Sequence, residues 1–133
     1  MFGSIRNLST RAVAMLYTGG FLVHIVKLIV RFSWRDMPFF VDWVIIVLGA
    51  IGVFAYMHYF RSIEYRGTWE IVVHWVMVGH ISISIILHGW ALAIGSHRIF
   101  GIFPYGYSYF ALGYFGFFAW RAWSIRFVES AAR

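Results

Sequence analysis

The chain has 133 residues, of which 62% are hydrophobic and only 12% are charged. A soluble domain of this length cannot bury so much apolar surface, so the composition excludes an ordinary water-soluble fold and indicates a membrane protein. Because the chain has no cysteine, it cannot form disulfides, use a thiolate nucleophile or ligate an iron–sulfur cluster.

Four stretches are long and apolar enough to cross the hydrocarbon core as helices, which takes about 20 residues each. They cover residues 12–32, 39–60, 69–94 and 99–123. Short polar connections join them, so the sequence predicts an all-α integral membrane protein. We expect a four-helix up-down-up-down bundle that forms a single transmembrane domain over residues 1–133. Any catalysis is then expected inside the membrane or from a partner.

The chain has a net charge of +6, but its basic residues are divided between the two sides of the predicted bundle. This distribution argues against a nucleic-acid partner. One side of the bundle receives Arg6, Arg11, Arg61, Arg66, Arg121, Arg126 and Arg133. The other side receives Lys27, Arg31, Arg35 and Arg98. By the positive-inside rule, this imbalance predicts that both termini lie in the cytoplasm.

Residues with a preference for helix ends mark the starts of the first three spans. Ser9 or Thr10 is expected to cap the first, Pro38 to begin the second and Thr68 to cap the third. Acidic residues also lie in or near first turns, at Asp42 and Glu70, where the helix dipole favours negative charge.

Three histidines distinguish the third span from the others. His74 and His88 are fourteen residues apart, so at about 100° per residue they fall within about 40° of the same face, separated by about 21 Å along the axis. Glu70 lies one turn before His74 on that face, while His80 is rotated away from it. Ionisable residues inside a membrane are costly and indicate function, although a hydrogen bond to a neighbouring helix is the plainer interpretation.

The pattern HW, twelve residues, then HGW resembles the ligand helix of di-haem b-type cytochrome membrane subunits. These include the cytochrome b561-like and the respiratory oxidoreductase cytochrome b families. The resemblance covers about a fifth of the chain, residues 69–93. It implies that His74 and His88 are haem ligands, one for each side of the bilayer, in a subunit that transfers electrons to or from a quinone.

Each haem then needs a second axial ligand from another helix at a similar depth. His24 lies about 12 Å and His88 about 9 Å from the same end of the bundle, so these two are expected to pair. His58 is the expected partner of His74, although their depths differ by about 6 Å. His80 is left over, and its pairing with His24 would instead give a single haem.

In a second interpretation the chain forms the same four-helix membrane bundle but binds no haem b. In it the chain is an accessory subunit that stabilises a larger respiratory or other energy-transducing complex, and its histidines only hydrogen-bond between helices. Either interpretation predicts other membrane subunits as partners, and either suits a bacterial or mitochondrial inner membrane. No hydrolase triad, phosphate-binding loop or zinc motif supports a stand-alone enzyme.

Overall fold

A computed structural model describes residues 2–104 and 106–129, with side chains from Ile5 onward. Arg133, one of the charges counted above, lies outside these residues. Within them the chain is all-helical and has no β-strand. The α-helices are α1 (Phe2–Val30), α2 (Phe39–Tyr59), α3 (Thr68–Ile94) and α4 (Tyr107–Ser124).

The helix ends agree with the sequence signals in part. Pro38 directly precedes α2, with a φ of −65° that suits the entry into a helix. Thr68 is the first residue of α3 and Gly67 precedes it, so the expected threonine cap is wrong by one position. Ser9 and Thr10 lie inside α1, where their hydroxyls donate to the carbonyl of Arg6.

α3 ends where the backbone turns left-handed. Gly95 has a φ of +62°, and its N–H donates to the carbonyl oxygens of Ala91 and Leu92. Glycine tolerates this conformation because it has no Cβ. The turn sends the following segment back over the end of α3, which brings His97 to the site described below.

In the described part of the chain, three helices are long and apolar enough to cross a membrane: Ile5–Val30, Phe39–Ser62 and Thr68–Ile94. The fourth stretch differs from the expected span of 99–123. Residues Arg98–Ile102 form a 3₁₀ helix, and α4 begins only at Tyr107. Its 18 residues span about 27 Å, and with its tyrosines, glycines and Arg121 it is not among the three helices that are long and apolar enough to cross a membrane.

The core lies between closely packed helices. α1 packs most closely against α4 and α2, and α2 against α3. Fully buried side chains at the centre include Val13, Tyr17, Tyr56, Met77 and Ile81. At Gly49 of α2, an added Cβ would lie 3.0 Å from side-chain atoms of Ile81 and of Ile85 on α3. Glycine therefore permits the close approach of these two helices.

Contacts between helix termini define two ends of the molecule. At one, which we call the Asp42 end, Lys27 of α1 donates to Ser108 of α4 over 3.2 Å, and Asp42 of α2 contacts α3. At the other, the Arg121 end, the residues after α4 pair with the α2–α3 connection through an antiparallel bridge between Ile63 and Phe127. The backbone N–H of Glu64 also donates to the carbonyl of Arg126 over 2.9 Å there.

Candidate functional site

A cavity of about 480 Å³ lies between α1, α2 and α3 in the half of the molecule nearer the Asp42 end. This volume falls within the range of about 300–1,000 Å³ that is typical of small-molecule and cofactor pockets. Its walls are almost entirely apolar and aromatic, and the exceptions include three histidines: His24, His80 and His88. An apolar cavity with a few ring nitrogens is suited to a flat, largely apolar ligand.

His88 is held against a buried carboxylate. Its Nδ1 atom lies 2.6 Å from Oδ1 of Asp42, which is fully buried in the first turn of α2. The His88 side chain is 13% exposed, and its ring packs on Phe100 with centroids 4.8 Å apart. The ring is therefore fixed on one side and borders the cavity on another.

The same carboxylate holds a second histidine. Oδ2 of Asp42 lies 2.7 Å from Nε2 of His97, which is buried and stacks on Phe39 with ring centroids 4.5 Å apart. Asp42 thus joins α2, α3 and the segment that follows α3. Both carboxylate oxygens are used, as a charge buried in an apolar interior requires.

His24 faces the cavity from α1. It is 5% exposed, and aromatic rings surround it, with centroids 5.0 Å away for Trp34 and 5.2 Å away for Phe115. Its Nδ1 atom is buried without a hydrogen-bond partner among the described residues. His24 and His88 line the same cavity, whereas His74 does not line it.

His80 forms a contact between helices. Its Nδ1 atom is 3.1 Å from the hydroxyl of Tyr17 on α1, and its ring contacts Tyr114 and Phe115 of α4. A hydrogen bond to a neighbouring helix is the plainer interpretation of a histidine in a membrane span, and His80, which also lines the cavity, makes one.

His74 lies towards the Arg121 end and is 1% exposed. Neither ring nitrogen has a hydrogen-bond partner among the described residues. Instead the imidazole packs among aromatic rings, with centroids at 4.7 Å for Tyr56 and 5.7 Å for both Phe60 and Tyr65. The tyrosine hydroxyls there are likewise buried without a partner in the described chain.

His58 lies on the exposed side of α2, stacked on Phe54 with ring centroids 5.5 Å apart. The rings that contact His74 belong to other residues, so the structure does not bring the expected pair of His58 and His74 together. It does bring His24 and His88 to one cavity.

An ion pair connects α3 and α4 at the Arg121 end. Glu70 binds the guanidinium of Arg121, which is almost fully buried. Glu70 also lies one turn before His74, but neither ring nitrogen of His74 has a hydrogen-bond partner among the described residues, so Glu70 does not orient that ring. Burial raises the pKa of the nearby Tyr65 to about 12, although Arg121 partly opposes this shift. A small polar cavity of about 110 Å³ adjoins the ion pair and is also lined by Arg66 and Arg126.

Sequence reasoning missed the carboxylate partner of His88 and the second histidine bound to that carboxylate. The sequence signals indicate only a helix-dipole role for Asp42 and none for His97. A carboxylate within a candidate membrane span is itself a signal, because it requires partners that neutralise or hydrogen-bond it. The histidine nine residues after His88, beyond a glycine that reverses the chain, was the available candidate.

The described residues contain no group of three or more histidine, aspartate or glutamate side chains arranged to hold a metal ion. A haem site differs in kind, because the macrocycle supplies four ligands and the protein needs to supply only axial ones. Comparison with protein-family models, with curated proteins and with solved structures finds no match.

Proposed function

We propose that this chain is a small membrane subunit that binds one b-type haem between His24 and His88. In this proposal it transfers electrons between a quinone and a redox partner within a larger respiratory or other energy-transducing complex. The bilayer is then a bacterial or mitochondrial inner membrane. The observation that carries the proposal is that His24 of α1 and His88 of α3 border one apolar cavity of cofactor size, while His80, the third histidine there, is engaged by Tyr17.

The donor set fits a haem. A neutral imidazole is the commonest axial nitrogen ligand, and His24 offers a buried ring nitrogen without any other partner among the described residues. His88 has one ring nitrogen bound to Asp42, which leaves the other for a ligand. When bound, haem would supply one-electron transfer, while the surrounding apolar side chains would exclude water.

The proposal covers one haem, because His58 and His74 do not share a cavity. His74 packs tightly among aromatic rings, and His58 is exposed on another face of α2. A haem between them would require both helix ends to rearrange.

The proposed topology is an up-down-up-down bundle with α4 as the fourth span and both termini in the cytoplasm. The contacts support this arrangement, because at each end of the molecule the C-terminal end of one helix contacts the N-terminal end of another. The imbalance of positive charge between the two sides supports the orientation. Because the chain lacks cysteine, single cysteines at Ser4 and Ser130 can be labelled in intact cells and in inverted membranes. Labelling of either position from outside intact cells would contradict this topology.

Haem titration of the purified chain in detergent micelles tests the function. We expect saturable binding at one haem per chain and the low-spin visible spectrum of a bis-imidazole haem, with a sharp α-band on reduction. His24→Phe should abolish this spectrum. His58→Phe is the matched control and should leave it unchanged, since His58 does not line the cavity. Failure of the wild-type chain to give the spectrum after haem-replete expression would end the proposal.

A haem-free accessory subunit is the second candidate. It is favoured by an exposed aromatic surface on α4, formed by Tyr109, Phe110, Phe117, Trp120 and Trp123. It is also favoured by the use of His80 in a contact between helices. For this candidate we expect normal assembly into a complex, no haem in the wild-type chain, and assembly that survives His24→Phe.

A further inference from the structure

We infer that Asp42 is a positioning residue that, with His97, fixes the tautomer and orientation of His88. In the resulting arrangement the Nδ1 atom of His88 carries the hydrogen, and the lone pair of its Nε2 atom is available to the cavity. The inference deepens the proposed function and depends on it only for the identity of the ligand. The tautomer itself is a property of the ligand-free chain.

The hydrogen-bond distances determine which atoms donate. Both contacts of Asp42 are short, at 2.6 Å to Nδ1 of His88 and 2.7 Å to Nε2 of His97. Distances in this range are typical of charge-assisted hydrogen bonds to a carboxylate, which only accepts. Each of the two contacting ring nitrogens must therefore carry a hydrogen.

A neutral imidazole has a single N–H, so a hydrogen on Nδ1 leaves Nε2 with a free lone pair. In His88 that nitrogen is on the side of the ring away from Asp42, and the residue lines the cavity. A carboxylate behind an imidazole also makes it a stronger ligand, as in metal sites where the other ring N–H donates to an acidic side chain. The Nε2 atom of His88 therefore offers the cavity a lone pair in a fixed orientation.

Two features hold the carboxylate in place besides its hydrogen bond to His88. Asp42 lies in the first turn of α2, four residues after Pro38, where the helix dipole favours its negative charge. His97 occupies the second oxygen and is itself held by stacking on Phe39. Rotation of the carboxylate would break both hydrogen bonds, so His97 acts on His88 through Asp42.

Nitrogen NMR of the ligand-free chain, labelled with ¹⁵N-histidine in micelles, measures the tautomer directly. His88→Phe identifies the signals of His88 by their disappearance. We expect His88 to be neutral, with its hydrogen on Nδ1. A hydrogen on Nε2, or a mixture of both tautomers, would refute the inference whether or not the chain binds haem.

Variants of Asp42 separate positioning from simple stabilisation. Asp42→Leu removes the acceptor, so a mixture of His88 tautomers is expected, whereas Asp36→Leu makes the same change at an exposed aspartate and should leave the tautomer unchanged. An unchanged tautomer in Asp42→Leu would contradict the inference. If Asp42→Leu does not fold, the measurement on the wild-type chain still decides.

The haem-bound chain provides an independent readout. Loss of an orienting partner typically weakens metal binding about 10- to 100-fold. We expect Asp42→Asn to weaken haem binding by this factor and to raise its reduction potential, because the axial imidazole loses electron density. Asp36→Asn should change neither. If the wild-type chain binds no haem but shows the expected tautomer, the proposed function fails and the positioning role of Asp42 stands. If haem binds and Asp42→Asn alters neither its affinity nor its potential, the positioning role fails while the proposed function stands.

Discussion

His74 and His88 lie on nearly the same face of one helix, yet their surroundings differ completely. At the Asp42 end, His88 has a short hydrogen bond to a buried carboxylate and borders a large cavity. Towards the Arg121 end, His74 is more deeply buried, packs among aromatic rings and has no hydrogen-bond partner among the described residues. Helical periodicity places both rings towards the interior, but the neighbouring helices determine what each ring can do.

The comparison shows why a spaced histidine pair is a weak indicator of two equivalent sites. A ligand site needs a free nitrogen and space for the ligand, and an orienting partner strengthens the ligand. His88 has all three, whereas His74 has free nitrogens but neither of the other two.

Removal of the carboxylate at the Asp42 end should have the largest effect on stability. Asp42→Leu leaves the N–H groups of His88 and His97 without their acceptor, and at about 1–3 kcal/mol for each unsatisfied donor the two together cost about 2–6 kcal/mol. We expect a decrease of this size in the free energy of unfolding, measured by denaturant titration in micelles. Asp36→Leu, at an exposed position, should change it by less than about 0.5 kcal/mol. A loss below about 1 kcal/mol in Asp42→Leu would show that the network is not held as described.

The two histidines should respond in opposite ways to the same substitution. His88→Phe removes one hydrogen bond to a buried carboxylate, which costs about 1.5–3 kcal/mol. His74→Phe removes two polar atoms that have no described partner, so stability should be unchanged or higher by about 1 kcal/mol. Comparison of both unfolding free energies under one condition tests this. Equal destabilisation by the two variants would contradict the proposed difference between the ends.

At the Arg121 end, we expect the ion pair, and not the histidine, to hold α3 and α4 together. Arg121→Met leaves Glu70 without its partner, and a loss of about 2 kcal/mol is expected, since Glu70 is partly exposed. The matched control is Arg126→Met, which removes an exposed arginine and should change stability by less than about 0.5 kcal/mol. Similar effects of the two substitutions on thermal unfolding would exclude a special role for Arg121.

Substitution of two glycines by alanine tests how closely the helices pack at each position. Gly49→Ala places a Cβ about 3.0 Å from Ile81 and Ile85, so we expect a loss of about 1 kcal/mol or more as the helices separate. Gly19 borders the cavity and has no atom within 4 Å of an added Cβ. Gly19→Ala should therefore be neutral or stabilise by about 0.5–1 kcal/mol through helix propensity. A destabilising Gly19→Ala would indicate that the cavity is smaller than described.

Composition and periodicity predicted the all-helical fold and three of its apolar helices, because those properties depend on local sequence. Counting residues along each helix also places His24 and His88 at a similar depth, and both line one cavity. The network around Asp42 could not be predicted this way. Its geometry depends on the rotation of α2 against α3 and on the path of the chain after Gly95, and neither is encoded in a single helix. For the same reason, the exposed position of His58 could not be predicted from its depth alone.

Haem binding by His88→Phe and His74→Phe, measured side by side with the wild-type chain, shows directly which end of α3 carries the ligand site. The site at the Asp42 end predicts that His88→Phe loses the bis-imidazole spectrum and that His74→Phe retains it with unchanged stoichiometry and affinity. Loss of the spectrum in His74→Phe with retention in His88→Phe would place the ligand at the Arg121 end and contradict haem binding by His24 and His88.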